Sequence, residues 1–175
     1  MTILKIKMFP DKILRQKAEH IKNIDKEILK LLDNMAETMY NAPGIGLAAN
    51  QVGVLKRLIV MDCSSDEEDP ELYKMINPEI IFKSEPKKEL EEGCLSIPKY
   101  KSIVSRPAEV TVSYTNTSGM KEELNASDIL AACIQHEIDH LNGVLFIDHI
   151  SKLKKDIILR KIKKQLRDKK DPPNE

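Results

Sequence analysis

The stretch Gln135-His136-Glu137-Ile138-Asp139-His140 constrains this chain more than any other. It contains His-Glu-x-x-His, and on an α-helix residues four apart stand one above the other on a single face. The flanking residues dictate where such a helix must go. Ile129, Ala132, Cys133, His136, Glu137 and His140 share one face, while Leu130, Ile134, Ile138 and Leu141 form the other. A helix that is apolar on nearly all sides is buried. The spacing therefore predicts a central buried helix, capped by Ser127 or Asn125 and ended by Gly143. His136 and His140 can then present two imidazoles to one metal ion, with Glu137 placed to reach a water bound on it. This is the pattern of a hydrolase in which a metal activates water and a carboxylate moves protons. A plain helix with two half-buried histidines fits the motif alone equally well, so a third ligand decides between them.

A hydrolytic site usually has three protein ligands and one open position. Gly143 matches the glycine of one zinc-peptidase pattern, but the third histidine of that pattern falls on Phe146, which excludes it. His149 lies nine residues past His140, beyond the helix, and reads as a surface residue. Cys133 shares the motif face, yet Cys133 to His140 spans about 10.5 Å at 1.5 Å per residue, too far for short ligand bonds to converge. Cys133 reads as a small apolar wall residue. Cys94 follows Gly93 in a loop whose backbone can be aimed freely, and it is the better ligand. Three cysteines (Cys63, Cys94, Cys133) without framework spacing fit a reducing compartment.

The rest of the chain reads as one α+β unit. At 175 residues it is most simply a single domain. It has no Trp and only 4% aromatics, so the core must rely on Ile, Leu, Val and Met. Pro10-Asp11 starts a short helical turn. Asp25 caps an amphipathic helix over 25–41, with Ile28, Leu31, Leu32, Met35 and Met39 at helical spacing. Strands are expected at 58–61, 73–76, 79–83, 87–91, 110–114 and 144–147, and Ile97-Pro98 resists regular pairing. A second amphipathic helix is expected over 151–169, with Leu153, Ile157, Ile162 and Leu166 inward, then a disordered tail at 170–175. The expected fold is therefore α+β, with antiparallel and mixed strands around the buried motif helix and a C-terminal amphipathic helix. No apolar run approaches the ~20 residues that span a bilayer, and the N-terminus is too short and too charged for a signal peptide. Residues 151–175 hold ten of the 28 Lys and Arg and four acidic residues, so a basic end of about +6 follows a body of about −6.

With Cys94 in place the chain resembles bacterial peptide deformylases, on three motifs in family order. These are Gly44-Ile45-Gly46-Leu47-Ala48-Ala49-Asn50-Gln51, then Glu92-Gly93-Cys94-Leu95-Ser96, then Gln135-His136-Glu137-Ile138-Asp139-His140-Leu141-Asn142-Gly143. The likeness runs from about residue 3 to 168. It implies an enzyme that removes the N-formyl group from the formyl-methionine of nascent polypeptides in the cytoplasm. It implies Cys94, His136 and His140 as metal ligands and Glu137 as general acid/base. The Gln51 amide and the Leu95 backbone N–H would hold the formyl oxygen. Ile45, Gly46, Glu92 and Gly93 would follow the substrate strand, and Ile129, Ala132 and Cys133 would form the helix side of the methionine pocket. Arg106 matches an arginine that steadies the motif helix through Asp139. Lys101 stands where many relatives have arginine. The resemblance implies Fe2+, with Zn2+, Ni2+ or Co2+ as alternatives in purified protein. A peptidase acting on internal bonds, or a closed structural zinc site using both Cys94 and Cys133, are the competing readings. The second would leave Glu137 and Gln51 without a task. The basic C-terminal helix is either a solvated face or a contact for ribosomal RNA phosphate.

Overall fold

Asp25 opens the first long helix by accepting the Ile28 N–H on its side chain at 2.9 Å. That bond satisfies one of the free N–H groups of a helix start. In the structure, a computed structural model that describes residues 2–65 and 67–170, this helix α1 spans Lys26–Asn41. The first two strands are β1 (Gly46–Ala48) and β2 (Leu58–Met61), followed by β3 (Tyr73–Lys83), β4 (Lys87–Cys94) and β5 (Ile97–Pro107). Strands β6 (Glu109–Thr115) and β7 (Lys121–Ser127) lead into the motif helix α2 (Asp128–Leu141), and α3 (Lys152–Lys170) ends the described chain. The strands form a five-stranded sheet in the order β1-β2-β3-β6-β7 and a separate β4-β5 hairpin. Every strand pair is antiparallel, and an isolated bridge between Glu19 and Lys56 is parallel. The expected α+β architecture is observed.

The continuous apolar run of β2 has a simple cause. Successive side chains point to opposite faces, and both faces are covered. Leu58 and Val60 pack with Ile28, Leu32, Met35 and Met39 of α1. Ile59 and Met61 pack with Cys133, Ile134 and Ile138 of α2. The motif helix is thus buried against one face of the sheet, as its composition requires. Gly143 terminates it at φ +75°, with Gly143 N–H bonded to His140 O and Val144 N–H to Asp139 O. This is the glycine-terminated cap that satisfies the last carbonyls. A Cβ on Gly143 would stand 2.5 Å from the Arg15 carbonyl oxygen. At the other end Ser127 occupies the cap position without a side-chain bond to the free helix N–H groups. Asn125 does not cap either, because it is paired in β7 and accepts from Thr111.

Several expectations are corrected. The strands expected at 73–76 and 79–83 are one strand, with a register break between Ile76 and Glu79. Pro78 supplies no N–H there, and the strand bulges instead of ending. Ile97-Pro98 begins β5, yet Pro98, Lys99 and Tyr100 have no ladder partners, since Cys94 pairs with Ile97 and Gly93 with Lys101. The strand expected at 144–147 is absent; Phe146–Asp148 is a 3-10 turn. The Asp148 carboxylate accepts the Leu145 N–H at 2.9 Å and pairs with Arg15 and Lys155, which folds the segment back on itself. In α3 the buried residues are Ile158 and Ile162, whereas Leu153, Ile157 and Leu166 are exposed. Adjacent Ile157 and Ile158 make two stripes equally apolar in sequence. The groove lined by Leu14, Ile97, Val104 and Phe146 selects the second. Helix α3 runs to Lys170, and the tail expected beyond it lies outside the described residues.

Asp148 provides a test of this corner. Burial pushes its carboxyl up, but Arg15, Lys155 and the Leu145 N–H outweigh burial and hold it well below the usual carboxylate range. A depressed folded value stabilises the fold above the unfolded value of about 3.9, and that stability is lost as pH falls below it. Asp148→Asn should therefore lower the urea midpoint at pH 7, and its deficit relative to the unsubstituted chain should shrink below pH 4. A deficit independent of pH would remove the charge from the explanation.

Candidate metal centre and substrate cleft

The unpaired bulge at 98–100 aims the end of β4 at the motif helix. It brings Cys94 beside His136 and His140, which stand one turn apart on α2. One ligand atom from each of the three lies within 4.8 Å of the others. The Cys94 Sγ is 3.2 Å from His140 Nε2, and the two imidazoles meet edge to face with centroids 4.9 Å apart. Among the described residues no other group of three or more His, Cys, Asp or Glu side chains converges in this way. Cys133 is not part of the group: its thiol donates to the Ile45 carbonyl at 3.6 Å.

The donor set suits a divalent ion. Burial pushes the Cys94 thiol up, but the imidazoles of His140 and His136 outweigh it and hold the thiol well below its ordinary value. That favours the thiolate, the form that binds metal. Burial pulls His136 down, yet its bonds to Cys94 and Glu92 and the charge of Glu137 raise it well above the usual histidine value. Burial raises the Glu137 carboxyl. Glu137 Oε2 is buried with no hydrogen-bond partner, as is His140 Nδ1. An unpartnered buried carboxylate oxygen beside three converging ligands fits a site built for an ion and a water.

Residues behind the ligands set their orientation. His136 Nδ1 bonds Glu92 Oε2 at 3.0 Å, leaving Nε2 for the centre. Arg106 holds the same carboxylate in a fork, Nε to Oε1 at 2.5 Å and Nη2 to Oε2 at 3.0 Å. Arg106 Nη1 also donates to Asp139 at 2.8 Å, the contact that the family resemblance implied. Asp139 in turn bonds His149 Nε2 at 2.7 Å. The Glu92 side chain thus points to Arg106 and His136 while its residue borders the cleft. The bonding of His149 was not readable from sequence, because a residue past the helix end gives no periodic signal.

A cavity of about 640 Å³ opens over the centre. Its wall includes Ile45, Gly46, Gln51, Glu92, Gly93, Cys94, Leu95, Ile129, Ala132, Cys133, His136 and Glu137, so every expected site residue except the deeper His140 borders it. Lys99, Tyr100 and Lys101 complete the outer rim. Gln51 is locked: its Oε1 accepts the Ala48 N–H at 2.9 Å. That turns Nε2 toward Ser96 Oγ at 3.1 Å and Cys94 Sγ at 3.6 Å. Ser96, not singled out in sequence, is thereby the partner that steadies the amide. Gly46 admits no side chain, since a Cβ there would collide with Glu137 and stand 2.8 Å from Cys133 Sγ.

A half-buried cysteine and two imidazoles, a carboxyl group beside them and a cleft above define a small α+β metal-dependent hydrolase. A sequence model of the polypeptide deformylase family matches residues 3–156. A peptide deformylase of Agrobacterium fabrum is 50% identical over 169 residues, covering 97% of this chain and 99% of that protein. The crystal structure of a peptide deformylase from Ehrlichia chaffeensis superposes with a TM-score of 0.89 at 42% identity, covering 95% of this chain and 98% of that one. A structure of the Ehrlichia chaffeensis enzyme in complex with actinonin also matches with a TM-score of 0.89, at 43% identity over 94% of this chain and 98% of that one. This chain belongs to the peptide deformylase family.

The bonds of Glu92 generate a prediction. Glu92→Gln leaves the His136 ring without its carboxylate partner, and loss of such a partner typically costs 10–100-fold in metal affinity. Zinc affinity measured against a competing chelator should fall by roughly that factor. Unchanged affinity would show that Glu92 does not position the ligand.

Proposed function

We propose a division of labour among these residues for the family's reaction, hydrolytic removal of the N-formyl group from the formyl-methionine of nascent polypeptides. The observation that carries the reading is the buried, unpartnered Glu137 carboxylate beside the converging Cys94, His136 and His140. Cys94, His136 and His140 hold one divalent ion. Their thiolate and imidazole donors accept Fe2+, the expected occupant, and equally Zn2+, Ni2+ or Co2+. When bound, the ion supplies Lewis acidity and lowers the pKa of water toward about 7.

The remaining work falls to the chain's own groups. Glu137 accepts the proton of the attacking water and delivers it to the leaving amine, and its raised pKa brings it nearer the operating pH. The Gln51 Nε2 and the Leu95 N–H donate to the formyl oxygen as negative charge develops there. The Gln51 donor is preorganised by its bond to Ala48. Ile129, Ala132 and Cys133 receive the methionine side chain, while the backbone at Ile45, Gly46, Glu92 and Gly93 runs beside the substrate strand. Glu92 and Arg106 hold the His136 ring in place. Formate and a peptide with a free N-terminal methionine leave.

Residues 1–169 act as one catalytic domain on this reading, in the cytoplasm, where nascent chains emerge. No helix among the described residues is long and apolar enough to cross a membrane. Helix α3 presents exposed Lys154, Lys161, Lys163 and Lys164, while Lys155 is paired with Asp148. The exposed lysines form a contact for ribosomal RNA phosphate, which raises encounter rates in a salt-sensitive way.

Two experiments test these assignments. Glu137→Ala should retain full metal by elemental analysis but lose roughly 10²–10⁴-fold in turnover of formyl-Met-Ala-Ser; near-normal turnover with full metal would refute its role. Charge reversal of Lys154, Lys161, Lys163 and Lys164 to Glu should weaken ribosome co-sedimentation at low salt and leave hydrolysis of the free peptide unchanged. Equal co-sedimentation of the folded variant would leave α3 with only a packing role.

A further inference from the structure

His149 takes no part in the proposed reaction, yet its side chain ends a hydrogen-bonded line that reaches a metal ligand. His149 Nε2 lies 2.7 Å from Asp139 Oδ2, and Arg106 Nη1 donates to that same oxygen at 2.8 Å. Arg106 grips Glu92 with Nε and Nη2, and Glu92 Oε2 is shared with His136 Nδ1. Side-chain exposure falls from 35% at His149 through 24% at Asp139 to 10% or less at Arg106, Glu92 and His136. The line therefore runs from the surface to the centre. Burial pushes the Asp139 carboxyl up, but its bonds to His149 and Arg106 outweigh burial and hold it below its usual value. An ionised carboxylate only accepts, so His149 Nε2 is the donor.

His149 closes the 3-10 turn Phe146–Asp148, its backbone N–H bonded to the Phe146 carbonyl at 3.0 Å. That turn is seated independently of the His149 side chain. Phe146 is buried with its ring stacked beside His136, centroids 6.4 Å apart at 20°. Asp148 is paired with Arg15 and Lys155. An anchored turn thus presents one donor to the aspartate that holds Arg106.

We propose that His149 is a positioning residue for the ligand His136, acting through Asp139, Arg106 and Glu92. The proposal rests on the reading of Cys94, His136 and His140 as the metal ligands. With His149 in place, Asp139 Oδ2 sits between two donors and gives Arg106 Nη1 a fixed point to bond. Without it, the partly exposed carboxylate turns toward water about its last torsion, which is soft in aspartate. The planar guanidinium then loses its anchor outside Glu92 and tilts. Glu92 Oε2, which serves both Arg106 and His136, shifts with it. The His136 ring samples more orientations, and metal binding weakens, since the partners behind a ligand set its orientation and basicity.

The test measures zinc affinity against a competing chelator, with urea midpoints in parallel. His149→Phe should weaken zinc binding by roughly 3–10-fold, less than the 10–100-fold typical of a group that touches the ligand itself. His149→Ala serves in its place if the bulkier ring unsettles the turn. His149→Gln keeps an N–H donor and should recover most of the loss. In a Glu92→Gln background, His149→Phe should change affinity by less than about twofold, because the line is already broken. A packing role alone would lower the urea midpoint equally in both backgrounds and leave zinc affinity unmoved. Unchanged affinity in the folded His149 variant would overturn the proposal. So would an equal loss in His149→Gln, or an undiminished effect in the Glu92→Gln background. His136→Ala, measured alongside, separates this proposal from the ligand assignment. If it abolishes tight zinc binding while His149→Phe leaves affinity unchanged, only the role of His149 fails. If His136→Ala binds zinc normally, the ligand assignment fails and this proposal with it.

Discussion

A carboxylate and a guanidinium, buried together between the β4-β5 hairpin and α2, hold this molecule in working order. Glu92 and Arg106 are 8% and 7% exposed and form a two-pronged pair, the geometry that gives such contacts direction as well as energy. Removing two charges from water is costly, and a buried pair is weak evidence for stability in itself. Losing one partner, however, leaves an uncompensated charge and typically costs about 3–5 kcal/mol. What the pair contributes is registration. Among the described residues the hairpin shares no ladder with the main sheet, and its other polar ties to α2 include Gln135 to the Pro107 carbonyl and Lys88 to Asp128 near the helix start. Glu92 bonds His136 while Arg106 bonds Asp139, so the hairpin is pinned to both ends of one helical turn. Cys94 is carried two residues beyond Glu92 on the same strand, and is set against the two imidazoles as a result.

Burial gives the centre its chemistry. The sheet covers one side of α2 and the hairpin another, so the charges near the ligands are poorly screened by water. Cys94, Glu92, Glu137 and Asp139 crowd negative charge around Arg106 and the histidines. The opposing effects on these groups follow from who faces whom. Cys94 is drawn down by His140 and His136, and Glu137 is raised by burial because no hydrogen-bond donor meets its Oε2. A carboxylate left free in this way is available to a water, whereas Glu92, fully engaged, is available only as a support.

How much of this was legible in the sequence depends on the distance over which each feature is decided. Asp25 and Gly143 could be read as helix ends because their bonds close within a few residues. The buried nature of α2 and β2 followed from apolar residues on every side. The 144–147 segment misled because its apolar residues look like a strand, while Arg15 and Lys155, distant in sequence, fold it into a turn around Asp148. In α3, Ile157 and Ile158 offered two stripes, and only the shape of the groove beneath chose Ile158. The contact between Arg106 and Asp139 was expected from resemblance, but the arrival of Glu92 on the same guanidinium, and of His149 on the same aspartate, was not.

The sequence by itself determined the helix that carries His136, Glu137 and His140, because four-residue spacing on a buried helix leaves those side chains one common direction. It also favoured Cys94 over Cys133 as the candidate third ligand, since a span of about 10.5 Å along the helix axis makes convergence from Cys133 hard. Tertiary structure alone decided how the groups are held. The lock of Gln51 by Ala48 and Ser96 and the path from His149 through Asp139 and Arg106 to Glu92 both join residues from different elements. Such contacts depend on how sheet, hairpin and helix pack in three dimensions, and packing leaves no periodic trace in a single chain.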